Sequence, residues 1–143
     1  MNTPILYIRN LYSYKLRGKE YINKKLIYEG EYLYNKKYNG KIFDENQIYE
    51  LKNGNGFIKE YYSNDISIFE GEYKNGERNG LGKEYDNEGE LMYEGEYLNG
   101  KRNGKGKEYN DNGKLKFEGE YLNGKRNGKG KEYDGKLLFD MNI

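Results

Sequence analysis

Apolar and polar residues alternate with a period of two through the C-terminal half of the chain. Leu91, Tyr93, Gly95 and Tyr97 fall on one side of the alternation, Met92, Glu94, Glu96 and Leu98 on the other. Over so short and aromatic a stretch, that period predicts a β-strand with one buried face rather than a helix. The segment Asn99-Gly100-Lys101-Arg102-Asn103-Gly104 follows and reads as a turn, marked twice by Asn-Gly. A second short strand is expected from Lys105 to Asn110, ended by the turn Asp111-Asn112-Gly113. No segment sustains a 3.6-residue period. The chain therefore reads as all-β, a succession of hairpins in which each strand pairs with the one before.

The hairpin is repeated. Phe69-Glu70-Gly71-Glu72-Tyr73, Tyr93-Glu94-Gly95-Glu96-Tyr97 and Phe117-Glu118-Gly119-Glu120-Tyr121 stand 24 residues apart, each followed by a tail ending in Gly-Lys-Glu-Tyr. A fixed period of this length marks a stacked-unit protein. Upstream the register continues with damage: Lys59-Glu60-Tyr61 precedes Lys83-Glu84-Tyr85 by one period, but Ile58 replaces the expected glycine. Tyr28-Glu29-Gly30-Glu31-Tyr32 restores the pentapeptide, and Gly18-Lys19-Glu20-Tyr21 is the tail of an earlier copy. The expected organisation is one repeat domain over 1–143. Degenerate units fill 1–68, clear units 69–92, 93–116 and 117–134, and a partial cap 135–143. Gly71, Gly95 and Gly119 sit between two aromatics, so the missing side chain is expected to let a ring lie flat over the backbone.

Composition changes this picture in two ways. The mean hydropathy of −1.23 and the 34% of charged residues would suit a disordered chain, but eighteen tyrosines and five phenylalanines do not. A net charge of +1 gives no global field toward nucleic acid, and acidic residues are interspersed with basic ones in every unit, so no nucleic-acid partner is expected. There is no cysteine and no histidine, so disulfides, thiolate metal sites and the usual general bases are all missing. Only Ser13, Ser63, Ser67 and Thr3 offer hydroxyl nucleophiles. No enzyme and no cofactor is expected. The N-terminal stretch, Met1 to Leu16, has no basic start followed by an apolar run, which leaves a cytoplasmic protein as the expectation.

The spacing aromatic-x-Gly-x-aromatic-x-x-Gly-x-x-x-Gly-x-Gly resembles the MORN repeat (membrane occupation and recognition nexus). It is carried by Phe69, Gly71, Tyr73, Gly76, Gly80 and Gly82. It recurs at Tyr93, Gly95, Tyr97, Gly100, Gly104 and Gly106, and at Phe117, Gly119, Tyr121, Gly124, Gly128 and Gly130. Each unit is one residue longer than is usual in that family, and the tryptophan often found at the second aromatic is absent. The resemblance implies an elongated, twisted, single-layer antiparallel sheet, a solenoid-like ribbon with a groove along one face. It also implies a non-catalytic scaffold that binds peptides or helices, dimerises through an end, or sits near membranes and cytoskeleton.

Three surfaces are candidates for partners. The tyrosine rows Tyr73, Tyr97, Tyr121 and Tyr85, Tyr109, Tyr133 suit either a core or a groove that receives a protein segment, since a tyrosine ring packs while its hydroxyl reaches outward. Arg78, Lys101, Arg102, Lys125 and Arg126 are read as hairpin-tip cations able to meet an anionic phospholipid surface, although solvated turns are the favoured explanation. The apolar end Leu137-Leu138-Phe139 is an edge at which a homodimer would form. Carbohydrate binding on the aromatic ribbon is a weaker alternative. Asp86-Asn87-Glu88-Gly89-Glu90 superficially resembles a calcium loop but is too short to converge six oxygens, so it is read as a turn and no metal site is assigned.

Overall fold

A computed structural model describes residues 15–62 and 66–142. Thr3, Ser13, Ser63 and all but the last two residues of the N-terminal stretch lie outside them. Every described element is a strand. The first four are β1 (Lys15–Ile22), β2 (Lys25–Leu33), β3 (Lys36–Phe43) and β4 (Ile48–Leu51), paired in that order in a four-stranded antiparallel sheet. An eight-stranded sheet follows, also in chain order: β5 (Gly56–Tyr61), β6 (Ser67–Lys74), β7 (Glu77–Tyr85), β8 (Leu91–Leu98), β9 (Lys101–Tyr109), β10 (Leu115–Leu122), β11 (Lys125–Tyr133) and β12 (Leu137–Asn142). The protein is an open antiparallel ribbon, not closed into a barrel.

One register organises both sheets. Gly18, Gly30 and Gly40 pair in a row across β1 to β3. Gly71, Gly82, Gly95, Gly106, Gly119 and Gly130 do the same across β6 to β11. Between the two runs the row is occupied by Leu51, opposite Gly40, and Ile58, opposite Gly71. Both side chains are buried with Tyr28, Tyr32 and Ile42. Only the Lys52–Asn55 bridge joins β4 to β5, so the ladder breaks at the two strands whose row position carries a bulky side chain.

The bare row gives a single layer its core. Phe69, Tyr93 and Phe117, each at most 1% exposed, fold down onto the glycine of the return strand of their own hairpin. A Cβ on Gly82 would lie 2.6 Å from two ring carbons of Phe69, and one on Gly130 equally close to Phe117. The second aromatics join hairpin to hairpin edge-on. Tyr97 meets Phe69 at 5.2 Å between centroids and Tyr121 meets Tyr93 at 5.3 Å, geometries that place the positive ring edge against the negative face.

The turns depart from the sequence reading in one respect. Asn99-Gly100 alone forms the hairpin loop, with φ of 49° and 84° as a two-residue loop of mirror-image type requires. Lys101 and Arg102 already belong to β9, and Asn103-Gly104 is a β-bulge: the step from Gly95 to Tyr97 on β8 is matched by the longer step from Gly106 to Arg102 on β9. Gly104 takes φ +90° there, and the Glu96 carboxylate accepts the Lys105 N–H at 2.6 Å. Glu72 and Glu120 do the same for Leu81 and Lys129. Asn-Gly therefore marks two different devices four residues apart, and only one reverses the chain. At the opposite end of the hairpins, the Asp86 carboxylate accepts the N–H groups of Glu88 and Glu90, and Asn110 does likewise for Asn112 and Lys114.

Candidate functional site

Strand alternation gives the ribbon two unlike faces. On the first, each buried ring is covered by an arginine from its own hairpin: the guanidinium carbons of Arg78, Arg102 and Arg126 stand 4.1, 4.0 and 4.0 Å from the centroids of Phe69, Tyr93 and Phe117. Each arginine is held in turn by a glutamate of the preceding unit. Arg102 makes a two-pronged pair with Glu84 at 3.0 and 2.8 Å, and Tyr97 donates its hydroxyl to the same carboxylate at 2.5 Å. Arg126 and Tyr121 clasp Glu108 in the same way, as do Arg78 and Tyr73 with Glu60. In the N-terminal sheet Lys37 substitutes for the arginine, over Tyr28 and 2.9 Å from Glu20.

These groups are electrostatically coupled. Burial alone would raise the Glu84 carboxyl, but the hydrogen bonds from Arg102 and Tyr97 outweigh it and hold the group below the usual carboxylate range. Glu108 is held down in the same way by Arg126 and Tyr121. Burial, followed by hydrogen bonding to Glu84, raises the Tyr97 hydroxyl. The face is a closed structural network. It places Tyr97 and Tyr121 in the core, each 4% exposed, with Tyr73 half-buried beside them. It also commits Arg78, Arg102 and Arg126 to internal pairs, leaving Lys101 and Lys125 as the exposed cations of the five.

The opposite face carries a groove of about 880 Å³ that crosses the strands from Phe57 on β5 to Asp140 on β12. Its floor is the glycine row, so backbone alone lies between the walls. One wall alternates in charge from strand to strand through Glu70, Lys83, Glu94, Lys107, Glu118 and Lys131, which are register partners. Along the other wall stand Leu81, Lys105, Glu120 and Lys129. Tyr85, Tyr109 and Tyr133 border the first wall, each donating its hydroxyl to the wall glutamate of its own hairpin, at 2.5 Å to Glu70 and 2.6 Å to Glu94 and Glu118. Burial and the bond to Glu94 push the Tyr109 hydroxyl up to about 12.

The two tyrosine rows thus lie on opposite faces. Sequence reasoning offers both rows as partner candidates and misses the wall lysines Lys83, Lys107 and Lys131. Their signal is present: each is the lysine preceding Glu-Tyr in the tail, and period-two alternation puts it on the face of that tyrosine. Among the described residues no cluster of three or more acidic groups is placed to hold a metal.

An open ribbon of glycine-seated aromatic hairpins, each locked to the last, defines a β-hairpin-repeat protein. Residues 69–90, 93–114 and 117–136 match the family model of the MORN repeat, so the chain carries three MORN repeats. MORN repeats are non-enzymatic units that mediate protein or membrane interactions. A comparison with the sequences of curated proteins returns no match.

Proposed function

We propose that the protein is a non-catalytic scaffold whose glycine-floored groove receives a segment of a protein partner. The groove itself carries this reading. It runs across all eight strands of the larger sheet, its floor is the glycine row, and its wall lysines are exposed. The buried network on the other face accounts for itself as structure, so the groove is where unspent chemistry remains. Capture of partners from the native source tests the reading. The triple variant Lys83→Glu, Lys107→Glu, Lys131→Glu should lose the captured protein, while Lys101→Glu/Lys125→Glu at the hairpin ends should keep it. The reverse pattern would sink the proposal.

One observation favours a second reading, contact with an anionic lipid surface. Leu98 and Leu122, 48% and 50% exposed, stand beside Lys101 and Lys125 at the same ends of consecutive hairpins. Sedimentation with phosphatidylserine vesicles, lost in the Lys101→Glu/Lys125→Glu variant, is what that reading requires. A homodimer through the terminal edge is a further component of the proposal, and the location we propose is cytoplasmic.

A further inference from the structure

The dimensions of the groove select among the shapes a polypeptide can bring to it, and this step rests on the scaffold reading above. Same-face neighbours on one strand are about 6.7 Å apart, which sets the separation of the two walls. An α-helix with side chains is about 10–12 Å across, wider than that spacing, and so sits less deeply than a slimmer extended segment. The period along the groove is equally selective. Like charges and successive tyrosines recur every two strands, a distance of about 9.6 Å. A polyproline II segment repeats every three residues, about 9.3 Å, whereas seven residues of α-helix advance about 10.5 Å. After three units the polyproline II segment is out of step by about 1 Å and the helix by about 3 Å.

Charge and rigidity add to this match. Each unit presents one acidic and one basic wall residue, as in Glu94 and Lys107, so a complementary ligand needs one base and one acid per three-residue turn. The lysines 83, 107 and 131 are exposed and form none of the ion pairs found among the described residues. The bordering tyrosines have their hydroxyls fixed on the wall glutamates, which holds their rings in place at little entropic cost on binding. Those hydroxyls also fix the glutamates that line the wall, and a polyproline II segment is itself preformed, so neither side loses much freedom on docking.

We infer that the groove binds an extended, proline-rich polypeptide segment in the polyproline II conformation, built of triplets that carry one acidic and one basic residue, one triplet per repeat unit.

The test is fluorescence anisotropy of the 143-residue chain with a labelled peptide of four Pro-Lys-Glu triplets. Controls are a two-triplet peptide and a helical peptide of three Glu-Ala-Ala-Ala-Lys repeats, which is equally charge-balanced. The four-triplet peptide should bind at least tenfold more tightly than the two-triplet peptide and than the helical control. Lys107→Glu, a change at an exposed and unpaired side chain, should weaken it at least fivefold. Tyr109→Phe, which removes the hydroxyl that holds the wall carboxylate of Glu94, should weaken it at least twofold, with melting curves confirming that the variant folds. Binding of neither peptide overturns the inference, as does binding indifferent to Lys107→Glu. Preferential binding of the helical peptide that Lys107→Glu abolishes overturns it too, while leaving the groove-scaffold reading in place.

Discussion

At the scale of single residues, glycine does two jobs here. Gly106 is needed for space: a Cβ there would lie 2.6 Å from Cε2 and 2.7 Å from Cζ of the buried Tyr93 ring. Gly113 is needed for conformation: nothing lies within 4 Å of its Cβ direction, but its φ is +72°. Gly106→Ala should therefore cost about 2–3 kcal/mol by overpacking a core ring, and Gly113→Ala about 1 kcal/mol from the backbone alone. Urea melts of the two variants decide it, and equal midpoint shifts would show that the ring does not depend on the bare backbone. Gly95 belongs with Gly106. A side chain there would meet Tyr93 and the β9 backbone, with Gly106 Cα and Lys105 O both at 2.6 Å, so it would push β8 and β9 apart rather than separate Tyr93 from Tyr97. The packing role of these glycines is legible in the sequence because aromatics flank them at period two. The role of Arg102 is not. Its neighbours Lys101 and Asn103-Gly104 mark it as a turn residue, and its partner Glu84 is 18 residues back on another hairpin. Only the strand register brings them together.

At the scale of the hairpin, the clasp makes each unit depend on the one before it. The ring of a unit is seated by its own return strand, but the arginine over that ring is fixed by the glutamate of the previous one. This arrangement titrates. Glu84 and Glu108 are held below their unfolded value of 4.5, so the stability they contribute is fully present above about pH 4.5 and is lost as pH falls through the lower folded value. Tyr93 and Tyr109 shift the other way. Burial raises each from 10.0 to about 12, so their contribution is present below pH 10 and is lost as pH rises from there toward 12. A melting temperature measured from about pH 2 to about pH 12 should therefore be flat near neutrality and fall on both sides. Glu84→Gln should lower the plateau and shallow the acid limb, because the substituted group no longer titrates. An acid limb as steep as that of the parent protein would mean that the carboxylates responsible lie elsewhere. The groove wall belongs to this scale as well. Glu94 and Glu96 look like a solvated charge ladder in one strand, and only pairing Glu94 with Lys107 on the next strand makes a wall of alternating sign.

At the scale of the molecule, a single sheet layer with a mean hydropathy of −1.23 acquires a dry interior without a second layer to cover it. It does so by laying rings on glycine and roofing them with paired arginine and glutamate. The same construction explains what happens where it fails. Ile58 is visible in the sequence as a missing glycine, yet its consequence is not, because the break also needs Leu51 at the same row position on the adjoining strand. The C-terminal edge is a second departure. On β12, Phe139 pairs with Glu132 as Phe117 pairs with Glu108, but Met141 takes the position across from Gly130 that glycine fills in the full units. Phe139 is 60% exposed, with Leu137 and Leu138 half-exposed beside it. Glu132 occupies the place of Glu84 and Glu108, and it accepts a hydrogen bond from Arg126 of its own hairpin at 3.3 Å. In the homodimer proposed above, β12, an edge strand among the described residues, would supply backbone contacts, the exposed Phe139 ring apolar ones and Glu132 an ionic one. Light scattering of the 143-residue chain at high concentration should give twice the monomer mass, and Phe139→Lys should return it to the monomer without lowering the melting temperature. A monomer at every concentration, or a dimer indifferent to Phe139→Lys, would place self-association elsewhere or nowhere on this ribbon.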